Sequence, residues 1–314
     1  MGEFLHLWLA HIRERVRATT YEGYECLLRC HVPEELRALR LDALTPLRLQ
    51  RTYTDLLACD TDNRPLSAGT VLNLHLVLTQ ALGQAVRWQL LASSPAAGAQ
   101  PPRPRRAQPA SVSPALLDRL IVTATGTPLE LPVAIAAATG MRRGEILGLR
   151  WADLAEDWSF AHVRSSLQAT REGLVFEQPK TARSRRAVAL PAFLKSFFER
   201  QRASQAATRE QHGGEWPETD LVITRSDGSP VNPDSLSSAW RRLLRKHALP
   251  PVRFHDLRHA HATLMLLQGV HPKVVSERLG HASVGITLDT YSHVLPSLQS
   301  QAVEAFDRLF PQAA

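Results

Sequence analysis

The sequence predicts a mainly α-helical protein of the α+β kind, with two domains joined by a basic, proline-rich linker and a small antiparallel β-sheet in the second. Three observations predict it. Apolar residues recur at helical spacing through the first ninety residues. Residues 93–114, SSPAAGAQPPRPRRAQPASVSP, then lose all apolar periodicity and fill with Pro, Ala and Ser, as a semi-extended linker does. Residues 158–190 hold short strand-like runs before helical patterns return at Pro191. The boundaries follow as a helical domain over 1–95, the linker over 96–112 and a second domain over 113–314. A chain of 314 residues is long enough for each domain to bury its own core.

The elements can be placed in order. Phe4, Trp8, Ile12 and Val16 recur every fourth residue and predict the first helix. Thr19 and Glu22 stand at capping-box spacing and predict the start of a second, which must stop near Pro33. Thr45-Pro46 opens a third, with Leu49, Tyr53, Leu56 and Leu57 on its apolar side. A fourth runs from about Ser67 to Leu91 and aligns Val71, Leu74, Leu78, Leu82 and Val86. Beyond the linker, Ser113-Pro114 caps a helix, LPVAIAAATG reads as a buried helix ending at Gly140, and RRGEILGL as a further short one. The runs SFAHVR, GLVFEQ and RRAVAL predict about three antiparallel strands. After them come a helix over Asn232–Lys246, a helix over FHDLRHAHATLMLLQG with Leu264 and Leu267 on its buried side, and an amphipathic tail helix, PSLQSQAVEAFDRLF.

Composition narrows the function. No apolar run approaches the ~20 residues that span a bilayer. The first residues lack the basic region and cleavage site of a secretory signal, and His6 stands where a myristoylation motif needs Ser or Thr. A cytoplasmic protein is expected, with Cys26, Cys30 and Cys59 as small buried hydrophobes. The net charge of +7 favours a polyanionic partner. Residues 1–100 are neutral, so the excess begins at the linker, where Arg103, Arg105 and Arg106 could touch phosphates. The chain has 33 arginines and four lysines, which makes each lysine position informative.

Several short stretches carry groups suited to chemistry. In FHDLRHAHATLML, His255, Arg258 and His259 share a helix face. A metal site is the competing reading there, since His255 and His259 stand four apart with His261 close by. The zinc-protease motif needs Glu after the first His, however, and Asp256 follows instead; Arg258 would also oppose a cation. In ATGMRRGEILGLRW, Arg142 opens a helix, where an arginine can meet a phosphate bidentately; the plainer reading is a surface helix with an Arg142–Glu145 pair. In FEQPKTARSRRAVAL, Lys180 lies at a polar turn, usually a solvated place. Lysine can donate a proton where arginine effectively cannot, so a general acid here would have to be Lys180. Finally, LGHASVGITLDTYSHV contains Tyr291, the lone tyrosine after Tyr53.

The order TGMRRGE, PKT, HDLRH, LGH and a tyrosine ten residues on resembles the tyrosine recombinase, or phage-type integrase, family. The resemblance covers most of the chain. TTYEGYECLLRCHV, LTPLRLQRTYTDLL and LSAGTVLNLHLVLTQALGQAVRWQLLASSPA are similar to the family's core-binding domain. It implies a SAM-like helical core-binding domain followed by a catalytic domain of the DNA breaking–rejoining fold. It also implies a catalytic set, with Arg142 and Arg258 on the scissile phosphate and Lys180 protonating the leaving oxygen. His255 and His281 would be the paired histidines, Tyr291 the nucleophile and Glu145 the support for the first arginine.

That set suits the chemistry. Two arginines on the non-bridging oxygens stabilise the charge that develops as a fifth oxygen approaches phosphorus. A phenol ionises near pH 10, so Tyr291 needs a neighbour to take its proton. His255 is the expected acceptor, with His281 on a phosphate oxygen, although the residues leave open which histidine takes the proton. The product would be a 3′-phosphotyrosyl bond that a second 5′-hydroxyl can attack, so neither ATP nor a metal or other cofactor is expected. The expected partners are double-stranded DNA, further copies forming a tetramer on two DNA sites, and an accessory directionality factor, at the nucleoid and with no membrane. Arg241, Arg242 and Arg245 are further DNA-contact candidates. The tail helix is expected to dock on a neighbouring protomer. The core-binding pattern begins within the first residues, so an additional N-terminal arm-binding module is not expected. Two alternatives remain: a type IB topoisomerase, disfavoured by the helical N-terminal domain, and a DNA-binding protein without the reaction, which would not need a hydroxyl at 291.

Overall fold

The computed structural model describes residues 1–58, 65–104, 112–178, 185–212, 216–291, 303 and 306–308. The chain divides into two compact units, Met1–Gln108 and Pro109–Ala314. The expectation of a mainly helical protein with small antiparallel sheets holds. No helix among the described residues is long and apolar enough to cross a membrane.

The first unit comprises α1 (Gly2–Ile12), α2 (Ala18–His31), α3 (Glu34–Ala38), α4 (Pro46–Ala58) and α5 (Ala68–Arg87). Helix α5 is central: Ser67 caps it by accepting from the Thr70 amide, and Val71, Leu74, Leu78 and Leu82 are fully buried. Tyr53 of α4 meets His75 of α5 through its hydroxyl, 3.0 Å from Nδ1, so the one polar end of a buried ring finds a partner. Two expectations fail here. Helix α2 starts at Ala18 with an extended Arg17 as its N-cap and no side-chain cap. Thr19 is therefore already inside the first turn and cannot head a capping box. Cys26 and Cys30 are exposed rather than buried, their sulfurs 3.9 Å apart, because α2 fully buries Leu28 alone. Cys59 lies outside the described residues.

The second unit is built round α7 (Glu130–Thr139), packed against α6 (Pro114–Ala124), α8 (Arg143–Leu147), α9 (Leu194–His212) and α11 (Asp256–Leu267). Every residue of α7 from Leu131 to Thr139 is buried, as befits a helix that is apolar all round. Four strands stand beside it: β1 (Phe160–Val163), β2 (Ser166–Thr170), β3 (Gly173–Glu177) and β4 (Arg186–Ala189). They form two antiparallel pairs, not one sheet of about three strands: β1 with β4, Val163 opposite Arg186, and β2 with β3, Thr170 opposite Gly173. The polar run SLQAT hid β2, because Leu167 is its one buried residue. Residues 221–224, LVIT, make isolated bridges from Leu221 to Arg150 and from Thr224 to Pro230. Further helices of this unit are α10 (Pro233–Lys246), α12 (Pro272–Leu279) and α13 (Val284–Tyr291). On α11 the buried side is Leu257, Ala260, Ala262 and Leu266, whereas Leu267 is exposed. The expected tail helix lies largely outside the described residues; within it Val303 and Phe306 are exposed.

Candidate active site

Helix α7 ends in a glycine, and the site begins there. Gly140 takes a left-handed conformation (φ 66°), and a Cβ on it would lie 2.6 Å from the Leu279 side chain and 2.8 Å from the His261 ring. The chain then turns through Arg142, the N-cap of α8. Glu145 folds back on this turn: its Oε2 accepts from the Arg142 amide at 2.8 Å, and its Oε1 accepts from the Arg142 Nη1 at 2.8 Å. The strand alternation of β4 turns Arg186 and Val188 inward, and Arg186 donates to both Glu145 oxygens, at 3.2 and 2.9 Å. Burial by itself would raise the Glu145 carboxyl, but the Arg186 hydrogen bond and the charges of Arg186 and Arg142 outweigh it and hold the group below its ordinary value.

Helix α11 supplies the second arginine. Its start is pinned by Asp256, which accepts from the Arg253 amide at 2.9 Å and pairs with the Arg253 guanidinium at 2.8 Å. Arg258, only 3% exposed, donates to the Gly140 carbonyl at 2.7 Å and the Leu279 carbonyl at 2.8 Å. Burial and the nearby Arg142 charge bring it down to about 9, still protonated at neutral pH. Arg142 also donates to the Gly280 carbonyl at 3.2 Å, Arg186 to the Arg278 carbonyl at 2.6 Å, and Arg278 to the Ala138 carbonyl at 2.9 Å. Four arginines thus converge on the carboxyl ends of α7 and α12, where helix carbonyls lack intrahelical donors and carry partial negative charge.

Helices α12 and α13 close the cleft. Gly280 ends α12 with φ 68°, and His281 follows with its Nδ1 2.8 Å from the hydroxyl of the buried Thr287. Tyr291, the last residue of α13, is 2% exposed, and its hydroxyl lies 2.9 Å from Nδ1 of His259. Burial pushes the phenol up to about 12, partly offset by the Arg258 charge. His255 and His281 are each drawn down to about 4, by burial first and then by neighbouring positive charge. Both are neutral imidazoles at pH 7.

Arg142, His255, Arg258, His281 and Tyr291 line one cleft of about 380 Å³, and His259 joins them. Five of the six expected catalytic side chains, drawn from positions 142 to 291, therefore meet at one place. Lys180 lies outside the described residues, as do Arg105 and Arg106. Arg103, Arg241, Arg242 and Arg245 are exposed, the last three on α10, but do not line this cleft. Arg143 is committed elsewhere, to Pro233, Asp234 and Ser237 at the start of α10.

Three contributors escaped the sequence reading of the site. Arg186 was legible in principle, since it alternates with Val188. His259 stood in plain sight beside Arg258, but nothing in its spacing says that a residue 32 positions away presents a hydroxyl to it. Arg278 is held by burial and by His261, whose Nδ1 donates to the Ala137 carbonyl while Nε2 accepts from Arg278. Both His261 nitrogens are thereby spent, which removes it from any metal site. Among the described residues, no group of three or more His, Cys, Asp or Glu side chains is placed to hold a metal ion.

Two arginines and three imidazoles around a buried phenol make a protein built to hold an anion beside a hydroxyl. The comparisons agree. Residues 110–297 match the phage integrase family, and residues 1–57 match the N-terminal SAM-like domain of phage integrases. The chain belongs to the phage integrase family, and as a tyrosine recombinase it is a site-specific DNA recombinase. A tyrosine recombinase XerC-like protein of Caldanaerobacter subterraneus is 27% identical, over 99% of this chain and 83% of that one. The Tn1549 transposon integrase, solved with a circular intermediate DNA, shares the fold (TM-score 0.79, 19% identity, 96% of this chain and 99% of that one). So does the lambda integrase, solved as a tetramer on a Holliday junction (TM-score 0.64, 16% identity, 90% and 77%).

Proposed function

We propose that Tyr291 is the nucleophile with which this recombinase breaks and rejoins double-stranded DNA. One observation carries the reading: five side chains spread over 150 residues of sequence, and suited to a phosphodiester, line a single cleft. The Arg142 side chain is 40% exposed and lines the cleft, where its remaining N–H groups can donate to a phosphate oxygen, while the buried Arg258 guanidinium sits in a low-dielectric setting that strengthens its pull on developing charge. His281, oriented by Thr287, is neutral and suited to hydrogen-bond a phosphate oxygen. His255 adds a second imidazole on the same wall. Glu145 holds Arg142 in place. Lys180 is the proton donor to the departing 5′ oxygen. Attack leaves a 3′-phosphotyrosyl bond that keeps the energy of the broken phosphodiester, so a second 5′-hydroxyl can reseal the strand without ATP or metal.

The arrangement on DNA follows the same reading. Residues 1–95 form the core-type DNA-binding domain, 96–112 the basic linker with Arg103, Arg105 and Arg106 on phosphates, and 113–314 the catalytic domain. Four copies act on two DNA sites at the nucleoid, with the tail passing between protomers and an accessory factor setting direction; the lambda tetramer on its junction supports the assembly.

The test is covalent capture. A nicked duplex pool of randomised sequence is mixed with protein in EDTA and resolved on a denaturing gel, wild type beside Tyr291→Phe. Wild type alone should give a protein–DNA band. A band that persists with Tyr291→Phe would remove the assignment.

A further inference from the structure

The hydroxyl that must lose its proton has a specific neighbour. Among the described contacts, Nδ1 of His259 is the hydrogen-bond partner of the Tyr291 hydroxyl, at 2.9 Å. His255 stands behind it, ring edge to ring face with His259 at 5.0 Å between centroids. We propose that His259 is the base that receives the Tyr291 proton during DNA cleavage, an assignment that rests on Tyr291 being the nucleophile.

The placement of His259 suits the task. It follows Arg258 on α11, and Arg258 is fastened to the carbonyls of Gly140 and Leu279, so the segment that carries the imidazole is tied to the ends of α7 and α12. For Nδ1 to accept, the neutral ring carries its hydrogen on Nε2. Burial lowers the affinity of His259 for a proton, with Arg258 and Arg253 adding to that, so the ring is neutral at pH 7 and its Nδ1 lone pair is open. Asp256, one turn back on the same helix, acts in the opposite direction and stabilises the imidazolium once it forms. The other charged or titratable groups around it are His255, the N-cap of α11, His281 before α13 and Tyr291 itself.

The step balances. The Tyr291 O–H bond breaks and the proton joins the Nδ1 lone pair, giving an imidazolium. The phenolate oxygen bonds to phosphorus as the bond from phosphorus to the 5′ oxygen breaks. That oxygen takes its proton from the general acid, Lys180 in the reading above. On rejoining, the incoming 5′-hydroxyl gives a proton to that acid's conjugate base, and the imidazolium returns its own to the departing phenolate.

The experiment uses the full chain and a nicked duplex recovered by covalent capture on wild type from the randomised pool. Single-turnover cleavage is followed from pH 5.5 to 9.5 for wild type, His259→Ala, His259→Asn and His255→Ala, with binding to the unnicked duplex measured in parallel. Loss of a general base typically costs a hundredfold or more. His259→Ala is therefore expected to cleave about 100-fold more slowly at pH 7 while binding DNA as wild type does. Its rate should go on rising with pH, since hydroxide must then remove the proton of a phenol ionising near 12, whereas the wild-type rate levels off. His259→Asn offers an amide oxygen where Nδ1 stood, so it keeps the hydrogen bond without the basicity and should stay slow. Both His259 variants should remain slow with a 5′-phosphorothiolate leaving group, which relieves the need for the acid but not for the base. Wild-type speed in His259→Asn would mean that the side chain only positions the phenol. A larger loss and the same unlevelled profile in His255→Ala would move the role to His255. Either result overturns the inference and leaves the Tyr291 reading intact. Capture by Tyr291→Phe would bring down both.

Discussion

Gly140 shows what a single side-chain atom would cost at this site. It needs its left-handed backbone, and its missing Cβ is what lets Leu279 and His261 close to within 3 Å of the position. Gly126 has a similar φ, 72°, with nothing within 4 Å of a Cβ. Gly126→Ala is therefore expected to cost about 1 kcal/mol, from backbone strain alone. Gly140→Ala should cost about 3 kcal/mol, because overpacking is added, and it should slow cleavage as the Gly140 carbonyl shifts under Arg258. Urea midpoints of the two variants check the difference. Glu145 supports a second comparison. Its carboxylate is 4% exposed and shared by Arg142 and Arg186, so Glu145→Gln should cost about 3 kcal/mol at neutral pH. Its native pKa lies below the ordinary 4.5, so that stability is fully present above about 4.5 and disappears as pH falls through the native value. Thermal midpoints of wild type and Glu145→Gln should converge as pH falls below about 4.5; a gap that stayed constant would mean that the carboxylate is not the source.

Among elements, α10 puts the charge question most plainly. Its buried stripe is Leu236, Trp240 and Leu244, with the Trp240 indole donating to the Val252 carbonyl at 2.8 Å. Arg241, Arg242 and Arg245 stand exposed on the other side. If each neutralises a phosphate, replacing it by Gln lowers the slope of log affinity against log salt by about 0.9. Duplex-binding titrations from 50 to 300 mM salt measure this, and an unchanged slope would take the residue off the DNA. Elements also show why some were legible and others not. Helices α5 and α7 announce themselves by long apolar patterns; α7 ends at Gly140 as expected, whereas α5 stops at Arg87 with Trp88 as its C-cap, short of the expected Leu91. Strand β2 does not, since a ladder partner and not its own residues makes SLQAT a strand. The start of α2 was misplaced because Thr19 satisfies the spacing of a cap while the backbone at Arg17 already provides the turn.

At the scale of the molecule, the two-part organisation and the gathering of Arg142, His255, Arg258, His281 and Tyr291 could be anticipated because the family's motifs keep a fixed order along the chain. Which hydroxyl meets which imidazole could not. The pairing of His259 with Tyr291 depends on how α13 packs across α11, a tertiary fact with no local signature. The same holds for the four arginines gathered on the carboxyl ends of α7 and α12. Because α7 and α12 stop at Gly140 and Gly280, each has a prescribed length. One extra residue ahead of either glycine would swing the terminal carbonyls by about 100° and carry them about 1.5 Å along the axis. Arg258 and Arg142 would then lose the carbonyls they grip, though every side chain of the proposed catalytic set were still in the sequence. The two helices serve as spacers cut to measure, and on the proposed reading an insertion that replaces no cleft side chain would silence the enzyme as surely as the loss of Tyr291.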